Sequence, residues 1–288
     1  MEINKLTKRS IPERLQQIPS PPKVLYSCGA NLADLLQRPA VAIVGSRKVS
    51  TYGRQITTKL ARELAEQGIV IVSGLALGVD ALAHQAALDA GGLTIAVLPG
   101  PIQTIYPASH RNLAIQILQK GGALISEYAP DGQAFNFKTN FIARNRLVSG
   151  LADALLITEA AEKSGSLHTA RFALEQGKDV LAVPGNITSS TSVGTNNLLP
   201  AGATPISSYE DVLHVLQLQQ KTIVPLRVAK GANSEEQAII DLLKAGTTDG
   251  EELQRASQLD IAQFNQTLTM LEITGKIRSL GANQWALA

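Results

Sequence analysis

Basic and aromatic side chains are concentrated in residues 137–150, which read FKTNFIARNRLVSG. Three basic residues, Lys138, Arg144 and Arg146, could each contact a phosphate, and Phe137 or Phe141 offers a flat face to a base. Stacking a base on an aromatic ring contributes about 1–3 kcal/mol and tolerates any base, because every base has a π-face. This combination of residue types is typical of a platform for single-stranded nucleic acid.

The same stretch also has a purely structural interpretation. Leu147 and Val148 fit the core side of a helix whose solvent side would carry Arg144 and Arg146. The phenylalanines fit a core less well, because three of the five in the chain are crowded into a predicted loop before that helix. These three are Phe135, Phe137 and Phe141. We therefore expect the loop to contact a ligand while Leu147 and Val148 pack inside.

Turns that follow predicted strands provide a second set of candidate binding residues. They are Gly45, Ser46 and Arg47 after one strand, and Lys163, Gly165 and Ser166 after another. Gly and Ser at such turns leave backbone N–H groups open at the start of a helix, where anions bind. Taken singly, each residue could serve only a turn or a helix cap. Because both turns fall at one edge of the predicted sheet, we interpret them as a phosphate-binding pocket with two cations, Arg47 and Lys163.

The elements that must position these turns are six apolar runs that alternate with helical segments. The runs are residues 40–45, 69–74, 93–100, 123–128, 154–160 and 179–185. Each is almost uniformly apolar, as expected for parallel strands covered on both faces. Ile56, Leu60 and Leu64 recur with a helical period between the first two runs, and Asp80 is expected to cap the next helix. The pattern predicts an α/β fold with a Rossmann-like, doubly wound, mostly parallel sheet, whose ligands bind beyond the strands' carboxyl ends.

Four segments follow from these patterns. Residues 1–39 form an N-terminal extension expected to pack on the core, and residues 40–216 form the Rossmann-like DNA-binding domain. Residues 217–233 are polar, contain Pro and Gly and lack a helical period, so we interpret them as a linker. Residues 234–288 carry three predicted helices and a terminal hairpin, which is the plan of a small C-terminal winged-helix domain.

The two parts of the chain differ in charge. Residues 1–233 carry 22 Lys and Arg against 16 Asp and Glu, whereas residues 234–288 carry 4 against 8. Polyanions are therefore expected to bind the first part. Residues 260–272, the third predicted helix of the winged-helix domain, contain no Lys or Arg. This favours a protein contact for that domain. The alternative is recognition of duplex DNA, because Gln263 and Asn265 carry amide side chains that can contact bases.

Composition argues against several classes of protein. The single cysteine, Cys28, cannot form an internal disulfide, and the four His show no metal-ligand spacing, so we expect no metal. The segment after the first strand, GSRKVSTYG, lacks the later glycines of a dinucleotide-binding motif, and we expect no cofactor. No apolar run reaches membrane-spanning length and no signal-peptide pattern is present, which predicts a cytoplasmic location without membrane contact.

Several motifs resemble, in order, those of the DprA/Smf family of bacterial DNA-processing proteins. They are VAIVGSRKVSTYG, SGLALGVDALAHQAAL, YPASHRNL, ARNRLVSGLADALLITEA and KSGSLHTA. The resemblance extends from about Pro12 to about Leu216, and the C-terminal domain is similar to the winged helix that many members carry. It implies a non-enzymatic protein that binds single-stranded DNA, protects incoming strands in natural transformation and loads RecA on them as a homodimer.

The resemblance also implies roles for individual positions. Arg47 falls on the arginine of the family's GSR motif, which lines the DNA pocket, and Lys138 falls on a pocket lysine. Phe141 falls on a base-contacting aromatic position, Lys163 on a basic residue before the Ser-Gly-Ser turn, and residues 144–146 on an RNR signature. The complete predicted DNA site is Gly45, Ser46, Arg47, Lys138, Phe141, Arg144, Asn145, Arg146, Lys163, Gly165 and Ser166.

Two further expectations depend on this resemblance. It points to the end of the Rossmann-like domain for the dimer surface, where Val212, Leu213 and Leu216 are the candidates. The alternative function is a nucleotide-binding protein or a nucleoside-monophosphate phosphoribohydrolase, since related Rossmann-like hydrolases carry a PGGxGTxxE motif. With Gly165 and Ser166 aligned on the Gly-Thr of that motif, Thr169 occupies the position of the catalytic acid. The missing carboxylate counts against hydrolysis.

Overall fold

Two compact units make up the chain, Met1–Lys221 and Thr222–Ala288. The computed structural model describes residues 2–7, 10–130, 137–219, 231–281 and 283–287, and for Phe137 and Lys138 it describes the backbone alone. Most of the predicted linker, residues 217–233, therefore lies outside the described residues, as does Phe135. No helix within the described ranges is long and apolar enough to cross a bilayer.

Nine of the described strands form the sheet of the first unit. They are β1 (Asn4–Thr7), β2 (Val24–Gly29), β3 (Ala40–Val44), β4 (Val70–Ser73), β5 (Thr94–Val97), β6 (Ala123–Ser126), β7 (Ala154–Ile157), β8 (Asp179–Ala182) and β9 (Thr204–Pro205). Their order across the sheet is β1-β2-β6-β5-β4-β3-β7-β8-β9. Neighbours from β6 to β9 are parallel, which confirms the mostly parallel sheet and its six predicted strands.

Helices connect these strands and cover the sheet. They are α1 (Glu13–Gln16), α2 (Leu32–Leu35), α3 (Thr51–Glu66), α4 (Val79–Asp89), α5 (Arg111–Gln119), α6 (Phe137–Leu151), α7 (Ser166–Glu175), α8 (Val193–Leu198) and α9 (Tyr209–Val215), with a short 3-10 helix at Ala108–His110. The predicted helix with Ile56, Leu60 and Leu64 is α3, whose first turn is capped by the Ser50 side chain accepting from the Gly53 amide.

The core lies on both faces of the sheet, because successive side chains of each strand point to opposite sides. In β3, Ala42 packs with one cluster, and Val41 and Ile43 pack with the other. Leu147 and Val148 of α6 are buried in the first cluster, as predicted. The doubly wound arrangement thus explains why the strand sequences are almost uniformly apolar.

The N-terminal extension does more than pack on the core. It supplies β1 and β2, which pair antiparallel with each other and extend the sheet beyond β6. Leu15 of α1 and Leu25 of β2 are fully buried. The extension therefore belongs structurally to the same sheet as the rest of the first unit.

The proposed dimer residues lie in the core. Val212 and Leu213 of α9 are buried in the same hydrophobic cluster as side chains of α3 and α4. Leu216 is half-buried and packs against this cluster. The expectation that Val212 and Leu213 form a dimer surface is therefore wrong, because their side chains already complete the core of one chain.

The second unit contains three helices and a hairpin within its described residues. They are α10 (Ser234–Lys244), α11 (Gly250–Ser257), α12 (Ile261–Ile273), β10 (Ile277–Gly281) and β11 (Gln284–Leu287). Asn233, Asp249 and Asp260 cap the three helices with their side chains. Phe264 and other buried residues form the unit's core, whereas Ile261 is exposed. The predicted winged-helix architecture is confirmed.

A buried histidine lies under the sheet's parallel strands. His84 of α4 is fully buried, and its Nδ1 lies 2.6 Å from Thr94 Oγ1. The Thr94 hydroxyl donates its proton to the Ile71 carbonyl, so its oxygen accepts from Nδ1–H and fixes the neutral tautomer. Among the described residues, Nε2 has no partner. Burial, aided by the Arg144 charge, lowers the pKa of His84 to about 3.

This histidine should make the protein less stable in mild acid. Unfolding exposes an imidazole that binds a proton below about pH 6.5, whereas the folded imidazole stays neutral down to a pKa of about 3. Stability is therefore lost as the pH falls through this window, on the order of 1 kcal/mol per pH unit from this group. Urea unfolding of the wild type and His84→Gln between about pH 7 and 4 should give a steeper loss for the wild type. Parallel curves for the two proteins would contradict the assignment.

Candidate nucleic-acid interface

A cavity of about 810 Å³ opens at the carboxyl edge of the parallel sheet. Its walls come from the loops after β3, β4, β5, β7 and β8, together with α6. β3 and β7 are adjacent in the sheet, and the chain leaves β3 toward β4 on one side and reaches β7 on the other. The cavity therefore lies at the topological switch point, where ligands bind in doubly wound folds.

The loop after β3 is fixed by its backbone. Ser46 donates its amide to the Glu159 carbonyl at 2.8 Å, and the Val79 amide donates to the Ser46 carbonyl at 3.1 Å. A Cβ on Gly45 would lie 2.6 Å from that Glu159 oxygen, so only glycine permits this close approach. The Ser46 hydroxyl donates to the Lys48 carbonyl at 2.8 Å. Ser46 thus holds the loop that carries Arg47, and its amide is already hydrogen-bonded, which differs from our expectation of an open donor.

Glu159, which the sequence analysis did not identify, anchors the other end of this loop. Its buried carboxylate accepts from the Ser50 amide at 3.0 Å and from the Ser50 hydroxyl. The Ser50 oxygen in turn accepts from Gly53 and begins α3. Main-chain and side-chain groups of Glu159 therefore hold the two ends of the segment from Ser46 to Ser50.

The turn after β7 presents the N-terminus of α7 to the cavity. Lys163 is exposed, and Gly165 faces open space, since a Cβ there would meet no atom within 4 Å. The Ser164 and Ser166 hydroxyls lie 2.8 Å apart, and Ser166 begins α7. All four residues of the predicted turn line the cavity. The Leu167 and His168 amides donate to the Ser164 and Gly165 carbonyls, so it is the dipole of this ten-residue helix that favours an anion at this end.

Arg144 differs most from its predicted position. It is 4% exposed, and its guanidinium donates to the carbonyl oxygens of Gly74 and Val97, at the ends of β4 and β5. The expectation of a solvent-facing Arg144 is therefore wrong. Burial lowers its pKa to about 10, which keeps the group charged at neutral pH. Its charge partly offsets the burial that raises the pKa of the Asp80 carboxyl.

Asp80 also departs from its predicted role. Its carboxylate accepts from the Gly74 amide at 3.0 Å and from the Ala76 amide at 3.4 Å, so it closes the loop before α4 instead of capping the helix. The N-cap position is occupied by Gly78. Asp80 and Arg144 thus both bind the backbone of the loop after β4: Asp80 accepts from its amides, and Arg144 donates to its Gly74 carbonyl.

Phe141 lies within α6 and not in a loop, and it is half-buried at the cavity wall. The Arg47 guanidinium carbon lies 4.7 Å from the ring centroid and that of Arg144 lies 5.8 Å away. The ring of Tyr106 packs edge-on at 5.5 Å between centroids. Cations and aromatic rings are therefore in direct contact at this wall.

Of the remaining predicted DNA-site residues, some line the cavity and others do not. Asn145 lines the cavity, and its amide lies 3.5 Å from the Gly165 carbonyl. Arg146 is not among the described residues that line it, and its guanidinium pairs with both carboxylate oxygens of Glu127 at 2.6 Å. Lys138 lies in the first turn of α6, with its side chain outside the described residues. Contacts of any of these residues with DNA stay predictions.

Sequence reasoning missed several residues of the cavity wall. Those that add a charge, a ring or a hydroxyl are Lys48, Asp80, Tyr106, His168 and Thr191. Lys48 was detectable as the cation next to Arg47. Tyr106 lies in a loop whose sequence has no period, and its position depends on the tertiary fold alone.

Replacing Arg144 with Met should destabilise the protein by about 3 kcal/mol, because the Gly74 and Val97 carbonyls and the buried Asp80 lose a cationic neighbour. Urea unfolding measures the loss. Adding Asp80→Asn to Arg144→Met should recover part of it. Arg171→Met is the control, because Arg171 is exposed on α7 and pairs only with Glu175 in the described structure. Equal stability of Arg144→Met and wild type would contradict this role.

Glu159→Gln should cost about 1–2 kcal/mol, because an amide has one acceptor oxygen for the two Ser50 donors. The exposed Glu162, three residues further along the same loop, provides the matched control Glu162→Gln, which should change the unfolding free energy little. Equal unfolding free energies for both variants would show that the carboxylate is not needed to hold the loop.

The chain matches two family models. The model of DNA recombination-mediator protein A covers residues 3–217, and the DprA winged helix domain covers residues 225–283. Among curated relatives, the chain is 45% identical to Protein Smf of Escherichia coli over 62% of this chain and 47% of that protein. It is 42% identical to the DNA processing protein DprA of Streptococcus pneumoniae, over 70% of each chain. The chain spans about half the length of the Escherichia coli protein and 66% of the Mycobacterium tuberculosis relatives.

Solved structures agree with these matches. DNA processing protein A from Streptococcus pneumoniae superposes with a TM-score of 0.68 at 39% identity, over 74% of each chain. A structure that describes the single-stranded DNA binding mode of DNA processing protein A from Helicobacter pylori gives 0.65 at 39% identity, over 75% of this chain and 96% of that chain. The chain therefore belongs to the DprA/Smf family of DNA-processing proteins.

Proposed function

We propose that the cavity at the carboxyl edge binds single-stranded DNA and that the protein acts on DNA by binding without catalysis. One observation carries the proposal: the cavity combines exposed cations, the N-terminal end of a helix dipole and two aromatic rings in its wall. Phosphates need the first two features and bases need the third. The binding mode described for the Helicobacter pylori relative supports it.

In this proposal, the phosphates of the strand bind to cations of the cavity that lie on both sides of the switch point. Arg47 and Lys48 are exposed on the β3 loop, and Lys163 is exposed on the β7 loop. Gly165 and Ser166 lie at the start of α7, where the helix dipole favours the same phosphates. Lys138, a further predicted DNA contact, has its side chain outside the described residues.

Phe141 is the proposed base-stacking ring. It is half-buried, and its contacts with the Arg47 and Arg144 guanidinium groups hold it in place at the wall. A fixed ring loses little conformational freedom when a base stacks on it. Arg144 and Arg146 contribute to DNA binding in this scheme mainly by holding α6, because their guanidinium groups are bonded to Gly74, Val97 and Glu127.

The hydrogen bonds of the two buried carboxylates agree with a role without catalysis. Asp80 accepts from two loop amides and Glu159 accepts from both donors of Ser50. Both groups are thus occupied in holding loops. Thr169, at the position of the acid in related hydrolases, is buried and carries no carboxylate.

We further propose that the protein acts in the cytoplasm as a homodimer and that RecA is its partner. The description of the family as a recombination mediator supports RecA as the partner that receives the strand. A dimer would present two cavities to one strand and raise the apparent affinity through multivalency. For the winged-helix unit we propose a protein contact, since Met270 and Ile273 of α12 are exposed at 46% and 74% and this helix has no Lys or Arg.

Binding of oligo-dT should be strong at low salt and fall with a log–log slope of about −0.7 for each neutralised phosphate. Arg47→Ala and Lys138→Ala should each weaken binding and flatten this slope by about 0.7. Fluorescence anisotropy of a labelled oligonucleotide over a salt series measures both effects. A duplex of equal length should bind more weakly.

Arg171→Ala is the matched control, because it removes an exposed arginine of α7 that lies outside the described cavity wall. Its slope should equal that of the wild type. If Arg47→Ala and Lys138→Ala behave like this control, the cavity is not the binding site. Release of free base from a nucleoside monophosphate would instead support the hydrolase alternative.

A further inference from the structure

Tyr106 is the second aromatic ring on the cavity wall, beside the proposed base-stacking ring of Phe141. It lies in the loop after β5, and it is 39% exposed. Ile142, on the same wall and 37% exposed, lies next to Phe141 in the chain. Exposed apolar side chains beside a group of cations suit the base of a nucleotide better than its phosphate.

The Tyr106 loop is held firmly at both ends. Ile102 is buried in the cluster that covers β5 and β6. After Tyr106, the His110 amide donates to the Pro107 carbonyl at 3.0 Å, and His110 Nδ1 lies 2.9 Å from the Leu75 carbonyl. These contacts fix the loop to the neighbouring loop after β4. The ring of Tyr106 is therefore presented from a rigid support.

The angle between the two rings matters for what they can bind. Tyr106 and Phe141 are inclined at 71°, so their faces point in different directions. Bases stacked on the two faces would be inclined at a similar angle and would not stack on each other. The Arg47 guanidinium lies over the Phe141 ring, so less of that ring is available to a base. A second ring would add surface on which a base can stack.

We infer that Tyr106 stacks a second nucleobase, next to the base on Phe141, and that the pair of rings opens the stack between two neighbouring nucleotides. The inference rests on the proposed function, because it names a further contact of the same cavity. It also gives the cavity a means of selecting single strands, since a duplex must break base pairs before its bases can separate in this way.

A comparison of two oligomers tests this contact. One is oligo-dT, and the other has equal length but consists wholly of abasic spacers, so that it keeps every phosphate and lacks bases. Tyr106→Ala should weaken oligo-dT binding by about fivefold or more, the effect expected for one stacked base. It should leave binding of the abasic oligomer unchanged. Tyr106→Phe, which keeps the ring, should bind oligo-dT like the wild type.

Controls separate the possible outcomes. Leu174→Ala removes an apolar side chain that is 57% exposed on α7 and is not part of the described wall, and it should bind like the wild type. Equal losses on both oligomers, or a loss in Tyr106→Phe as large as in Tyr106→Ala, would overturn base stacking by Tyr106. If the wild type binds oligo-dT and Tyr106→Ala binds equally well, this inference alone fails. If the wild type does not bind oligo-dT, the proposed function fails with it.

Discussion

A buried guanidinium holds the carboxyl edge of the parallel sheet together. Arg144 reaches from α6 to the carbonyls that end β4 and β5, and it stands beside the buried Asp80, which closes the next loop. Charged groups removed from water are costly unless their hydrogen bonds are made, so the strand ends, the loop and the helix must adopt one arrangement together. Gly74 leaves room for this contact, because a Cβ there would collide with the guanidinium.

The surface chemistry of the cavity depends on that internal bonding. Arg144 fixes α6, which carries Phe141, and Phe141 in turn contacts Arg47 from the β3 loop. Glu159 fixes both ends of the Arg47 loop from the loop that follows the neighbouring strand β7. Arg47 and the two rings are thus in contact before any ligand arrives, which reduces the conformational entropy lost on binding.

Sequence reasoning succeeded where a local pattern is sufficient. Uniformly apolar runs located β3 to β8, and the third helix predicted in the winged-helix domain, residues 260–272, corresponds to α12. It failed for Arg144, whose partners Gly74 and Val97 are 70 and 47 positions away and are backbone carbonyls without a sequence signal. Tyr106 and Glu159 were missed for the same reason. Short edge strands such as β1, which is mostly exposed, also lack the apolar run that marked the others.

The antiparallel hairpin at the sheet's edge has a practical consequence for work on this protein. β1 is separated from β3 by β2, β6, β5 and β4, a distance of about 24 Å at the usual spacing between strands. A fluorophore, affinity tag or fused domain attached ahead of β1 would therefore start well away from the switch point. The N-terminal side of the sheet offers a place for immobilisation that leaves the cavity open to long nucleic acids.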